Sequence, residues 1–286
     1  MSATVITVTS GKGGVGKTTT TAAFGAALAL EGHRVCLVDF DMGLRNLDLA
    51  MGVEKRVIYD FLHVAHGTAK LSQALVRDKR IPGLQLLATS QTADKEALTP
   101  EAIDHVMNLL APEFDYILCD SPAGIEHGAM MALHHADHAI VVCNPEVTSV
   151  RDADRIMGYI AARSRRAASG LAPVREHLIV TRYSEERVKR GEMLSLPAIQ
   201  DILSMPLLGV VPESPTVLRA SNAGRPVSLE TGTEVGRAYR AAAGRFLAET
   251  RNSPARPAAC EGRPTGAGLL SALAETALLR RLFRHA

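Results

Sequence analysis

Gly11, Gly16, Lys17 and Thr18 stand at the spacing G-x-x-x-x-G-K-[ST] within SGKGGVGKTTT, residues 10–20. These residue types hold phosphate. Glycines let the backbone close into a cup whose N–H groups point inward, and a following helix adds free N–H groups and its positive dipole end. Gly11, Lys12, Gly13, Gly14, Val15, Gly16, Lys17, Thr18 and Thr19 are therefore the expected contacts of a nucleoside triphosphate. Lys17 can reach the β- and γ-phosphates, and the Thr18 hydroxyl can ligate Mg²⁺. Lys12 needs a separate account, since one lysine suffices to bridge phosphates. It is either a solvated loop side chain or a cation aimed at a phosphate on a facing molecule.

Such a loop needs a strand before it and a helix after it. The apolar run of Val5, Ile6 and Val8 and the segment 18–30 supply both. Further short apolar runs follow at 34–40 (RVCLVDF), 84–89 (LQLLAT), 116–120 (YILCD), 139–146 (AIVVCNPE), 177–181 (HLIVT) and 207–212 (LLGVVP). Runs apolar throughout fit parallel strands buried on both faces. With helical segments between them, such as 100–110, they make seven or eight alternations. The expected fold is α/β: one doubly wound, mostly parallel sheet with flanking helices. Ligands of such sheets gather at the strands' carboxyl ends, where Asp39, Asp41 and Asp120 fall. Thr18, Asp39 and Asp120 are the expected metal-handling groups, Asp41 the residue that orients water, and Gly124 a switch near the γ-phosphate.

GKGGVGKTT resembles the deviant Walker A motif of the MinD/ParA ATPases, and VDFDMGLRNLDLAMG (38–52), with Asn46 and Asp48, resembles their switch segment. VPESPTVLRASNAGRPV (211–227) is similar as well, and the likeness runs over about residues 3–250. The resemblance implies ATP and Mg²⁺ as cofactors and an ATPase of catalytic residues Lys12, Lys17, Asp41 and Asp120, with Lys17 acting in cis and Lys12 in trans across an ATP-bound homodimer. It also implies adenine contacts from Arg182, Pro212 and Glu213, with Ser214 facing the ribose. Thr181 stands where several relatives carry a base-reading asparagine. Septum positioning at the cytoplasmic face of the inner membrane, a MinC-like division inhibitor and a MinE-like activator are implied on the same basis.

Residues 251–268 are rich in Pro, Gly and Ala and read as a flexible linker after an ATPase domain at 1–250. Segment 269–286 has helix-forming composition. Leu278, Leu279, Leu282 and Phe283 occupy one side of its last two turns, and Arg280, Arg281, Arg284 and His285 the other. Apolar residues below arginines suit the interface of an anionic membrane. A face this short binds weakly alone, and two copies on a dimer gain by effective concentration.

Net charge is +2, and residues 251–286 carry six arginines against two glutamates, which leaves the remainder at −2. Nothing in that balance draws the body to nucleic acid. A ParA-like DNA-segregating ATPase, the main alternative, requires a basic body surface. A metabolic phosphoryl-transfer enzyme requires a small-molecule pocket that no motif marks. Cys36, Cys119 and Cys143 fall inside apolar runs as buried thiols, and with Cys260 they show no C-x-x-C spacing. His134, His135 and His138 are weighed together because 134 and 138 are read on one face of a helix; lacking a suitable third ligand, with Asp137 projecting elsewhere, the three histidines fit a solvated helix end better than a metal site. Arg151, Asp152, Asp154 and Arg155 read as a solvated face, and by the resemblance as a candidate partner surface.

Overall fold

The computed structural model describes residues 3–93 and 97–252. Eight strands form one sheet: β1 (Thr4–Thr9), β2 (Val35–Asp39), β3 (Val76–Arg77), β4 (Leu84–Leu87), β5 (Tyr116–Asp120), β6 (His138–Cys143), β7 (Arg175–Tyr183) and β8 (Leu207–Pro212). Their order is β3-β4-β2-β5-β1-β6-β7-β8. All neighbours are parallel except β3 and β4. The doubly wound expectation holds, and the two-residue antiparallel edge β3 is an addition too short to leave a period in the sequence.

Strand side chains alternate between faces, and the sheet separates them accordingly. Ile6, Val8, Leu37, Leu118, Ile140 and Ile179 share one core layer with Phe24 and Leu28 of the helix Lys17–Leu30 and Phe246 of the helix Glu234–Asn252. Val5, Cys36, Val38 and Ile117 face the other way, onto Ile103 and Val106 of the helix Pro100–Leu110. Val141, Leu178 and Val180 continue that second face under Val150 and Ile156 of the helix Val147–Arg163. Both faces are thus covered, which is why the strands read as continuous apolar runs. The three cysteines expected to be buried are buried and free.

The helix Lys17–Leu30 passes very close to the sheet. A Cβ at Gly25 would run into the Leu37 side chain, so glycine lets the helix lie this close without displacing Leu37. The glycine loop that follows β1 leads directly into this helix, so Lys17, its first residue, sits at the carboxyl end of β1. β5 and β6 flank β1 on either side, and the crevice opens there. Arg251 and Asn252, expected to open the linker, instead end the helix Glu234–Asn252; the rest of the linker and the amphipathic segment, including Leu278 to Phe283 and Arg284, lie outside the described residues.

One local expectation fails. His138 does not extend a helix with His134; it begins β6, because the helix His127–Leu133 has already ended. Its ring is buried and stacks on His177, with centroids 5.3 Å apart.

Candidate nucleotide site

The carboxyl ends of the central strands open into a cleft of about 1200 Å³. Gly13, Gly14, Gly16, Lys17, Thr18 and Thr19 of the glycine loop line one side. Gly14 and Gly16 have φ of 75° and 99°, the left-handed region that side chains resist, so the chain can turn its amides inward there. Gly16 is also the N-cap of the helix Lys17–Leu30, whose first turn has no side-chain cap. Those N–H groups and the dipole end suit an anion.

Lys17 is buried, and its Nζ donates to Ser10 Oγ at 2.9 Å. Ser10 in turn donates to the Lys12 carbonyl at 2.7 Å, so one serine joins the cation to the loop backbone. Burial lowers the Lys17 pKa, while Asp120 and Asp41 oppose that shift by favouring the charge. An amine desolvated against two carboxylates is poised for a polyanion.

Behind the loop, Asp39 and Asp120 end β2 and β5 side by side in register, and both are buried. Desolvation, then the neighbouring Asp120, raises the Asp39 pKa well above the carboxylate range, although the N–H groups of Asp41 and Leu47 donate to it at 2.8 and 3.3 Å. Burial likewise pushes Asp120 up to about 6, partly offset by hydrogen bonds from Thr18 and Thr21 and by Lys17. Asp41 stands in front of them and lines the cleft. Three carboxylates converging in a partly dry site strain against one another, and a divalent cation relieves that strain. With the Thr18 hydroxyl hydrogen-bonded to Asp120, Asp39 and Asp120 form an oxygen donor set of the kind Mg²⁺ takes.

The loop is fastened from both sides. Gly124, with φ 87°, donates its N–H to the Ser10 carbonyl at 3.0 Å, which couples the turn after β5 to the glycine loop. Thr181 donates to the Val15 carbonyl at 2.7 Å and lies 2.8 Å from Asn144 Oδ1. It is buried beneath the loop, not turned into the cleft, so it braces the phosphate cup. Val15 itself is a core residue. Arg182, next in the chain, has φ 54° and lines the cleft. Such a conformation in a non-glycine residue, held by its surroundings, is characteristic of functional sites.

The remaining sequence-identified residues divide. Pro212 and Glu213 do not line the main cleft. Pro212 borders a shallower hollow between β8 and the helix Glu234–Asn252, and Glu213 pairs with Arg187 at 3.2 Å. Asn46 lines the cleft, whereas Asp48 is buried against Arg45 at 2.6 Å. Lys12 projects outward to Glu146 Oε2 at 2.7 Å, and Glu146 precedes the helix Val147–Arg163. Gly11 packs against that same helix, where a Cβ would strike the Asp152 carbonyl. Side chains that the motif does not mark also matter: Ser10 and Thr21 hold Lys17 and Asp120, and residues 221–224 form the wall facing the loop. Ser10 and Thr21 lie beside the motif, but only the fold reveals their partners.

The comparisons with known proteins agree with this geometry. The family described as the CobQ/CobB/MinD/ParA nucleotide binding domain matches residues 6–227. The septum site-determining protein MinD of Escherichia coli (strain K12) is 54% identical over 250 residues, covering 87% of this chain and 93% of that protein. Its counterpart in Neisseria meningitidis serogroup B is 55% identical over 252 residues, with the same coverage of 87% and 93%. Among solved structures, a chain of the MinC:MinD cell division protein complex of Aquifex aeolicus superposes with a TM-score of 0.75 at 40% identity, covering 93% of this chain and 99% of that one. MinD complexed with Mg-ADP from Pyrococcus horikoshii gives 0.74 at 30% identity, covering 87% and 98%. A ParA family ATPase from Chlorobium tepidum, at 21% identity and a TM-score of 0.68, shares the fold. Matched along nearly its whole described length, the chain belongs to the MinD proteins of the CobQ/CobB/MinD/ParA nucleotide-binding family.

Proposed function

We infer that this chain is a Mg²⁺-dependent ATPase of septum-site determination, and that ATP controls both its self-association and its attachment to a membrane. The observation that carries the enzymatic part is Lys17, buried in the glycine loop against Asp120 and Asp41, with Asp39 paired to Asp120 at the carboxyl end of the sheet.

Lys17 and the loop amides hold the β- and γ-phosphates. Thr18, backed by Asp39 and Asp120, would hold Mg²⁺, which would neutralise charge on the phosphate oxygens. Asp41 orients the water that attacks the γ-phosphorus, and ADP departs as the bond to the β–γ bridging oxygen breaks. Arg182 lies where it can contact the nucleotide, while Pro212 and Glu213 require a rearrangement of the main cleft's edge to do so.

Lys12 supplies the second cation. Its ion pair with Glu146 is half-exposed, and such pairs contribute only about 0.2–1 kcal/mol, so a phosphate on a facing copy readily displaces it. Lys12 then completes the facing site, and hydrolysis requires the dimer. The segment 269–286 docks on anionic lipid, strengthened twofold in valency by the dimer. A MinC-like inhibitor is the partner of the ATP-bound form, and a MinE-like activator releases it. The solved complex of a relative with MinC supports the first of these partners.

Sedimentation with anionic vesicles, using the full chain and a truncation ending at Gly268 with ATP or ADP and Mg²⁺, tests the assembly. Only the full chain with ATP is expected in the pellet. Equal binding with ADP removes the switch and leaves the ATPase.

A further inference from the structure

Away from the cleft, the end of the helix His127–Leu133 meets the helix Pro100–Leu110 through a cluster that the nucleotide chemistry does not use. His134 and His135 turn their Nε2 atoms toward Asp104. The distances to Asp104 Oδ1 are 3.3 Å and 2.6 Å. One ligand atom from each residue lies within 4.8 Å of the other two. The sequence hides this arrangement, because Asp104 stands thirty residues before His134.

We propose that Asp104, His134 and His135 form a binding site for a borderline divalent metal ion of the Zn²⁺ class. Two imidazoles and a carboxylate suit Zn²⁺, which takes nitrogen and oxygen ligands with water in an open fourth position. The 3.3 Å between Asp104 and His134 is the separation expected of two ligands about 2 Å from one tetrahedral ion. Asp104 is about half-exposed, so an ion can enter from solvent. The shorter Asp104–His135 contact is a hydrogen bond, which opens as the ion takes its place.

One group opposes binding. The Arg165 guanidinium lies 3.2 Å from His135 Nδ1 and 3.7 Å from Asp104. Guanidinium only donates, so in this arrangement His135 Nδ1 accepts and its Nε2 carries the proton donated to Asp104. Metal binding at Nε2 shifts that proton to Nδ1, and Arg165, itself half-exposed, swings into solvent. The arginine thus acts as a competing internal cation. The helix that ends just before the two histidines begins at His127, beside Glu126 on the cleft wall, so an ion here ties that wall to the helix Pro100–Leu110.

The test is calorimetric titration of untagged full-length protein with Zn²⁺ in saturating Mg²⁺-ADP, which occupies the cleft. Saturable binding of one ion per chain is expected, weakened at least tenfold in Asp104→Asn and in His135→Ala. Arg165→Ala should bind several-fold more tightly, an effect that a purely structural hydrogen-bond cluster would not produce. Circular dichroism checks that each variant is folded, and retention on an immobilised Zn²⁺ column should follow the same order. No saturable binding, undiminished affinity in both ligand variants, or weaker binding in Arg165→Ala overturns the proposal.

Discussion

The two ends of the central strands bury polar groups in opposite ways. At the carboxyl ends, Lys17, Asp39 and Asp120 are ionisable groups of both signs packed together, with the acids pushed upward by desolvation. At the amino ends of β6 and β7, His138 and His177 are buried as a neutral pair, joined Nδ1 to Nε2 at 3.0 Å and edged by Phe246. Burial, followed by the cost of a second positive charge beside His177, lowers His138 to about 3, while His177 Nδ1 faces the Glu249 carboxylate at 3.4 Å. The first end holds charge in tension and gains by binding ions; the second closes the core. A stable fold accommodates the strained end because the rest of the sheet fixes it.

Breaking the charged end should produce the largest effect. Lys17→Ala should reduce ATPase turnover by about 10²–10³, the typical cost of one donor to developing charge. Full turnover in that variant would remove Lys17 from the phosphate site. Asp41→Asn should lower kcat by a similar factor while leaving ADP affinity nearly unchanged, the pattern expected of a residue that acts on the water and not on the nucleotide. A matching loss of affinity would make it a binding residue instead.

Lys12→Ala sharpens the contrast between a buried lysine and an exposed one. Turnover per chain should no longer rise with protein concentration, whereas binding of nucleotide to one chain persists. Thermal stability should change little, since the Glu146 pair is exposed. A concentration dependence like that of the native protein would show that Lys12 does not act across the dimer.

The pH response should separate the two ends more finely. Folded Asp120 holds its proton up to about 6, against 3.8 in a free chain, so without Mg²⁺ stability falls as pH rises through this window. Asp120→Asn should therefore flatten the decline, as followed by urea unfolding at several pH values. His138 works in the other direction. Its folded form protonates only near 3, against 6.5 when unfolded, so stability is lost as pH falls below 6.5. His138→Gln should make that acid limb shallower. If its slope is unchanged, the acid sensitivity belongs to other groups.

Local patterns in the sequence determined the glycine loop, the strand-ending aspartates and the parallel sheet. Each rests on a fixed spacing or an apolar run that needs no distant partner to be read. Register was decided only in three dimensions. It set Asp39 beside Asp120, put Thr181 under the loop instead of in the cleft, and brought Asp104 to His134 and His135. Lys12 shows the division within one motif. Its extra positive charge is plain in the sequence, but the partner it holds, Glu146, lies 134 residues further along the chain. The reason is physical: a motif encodes the local backbone shape, whereas burial and pairing, which set the protonation and reach of these groups, exist only after distant strands have packed.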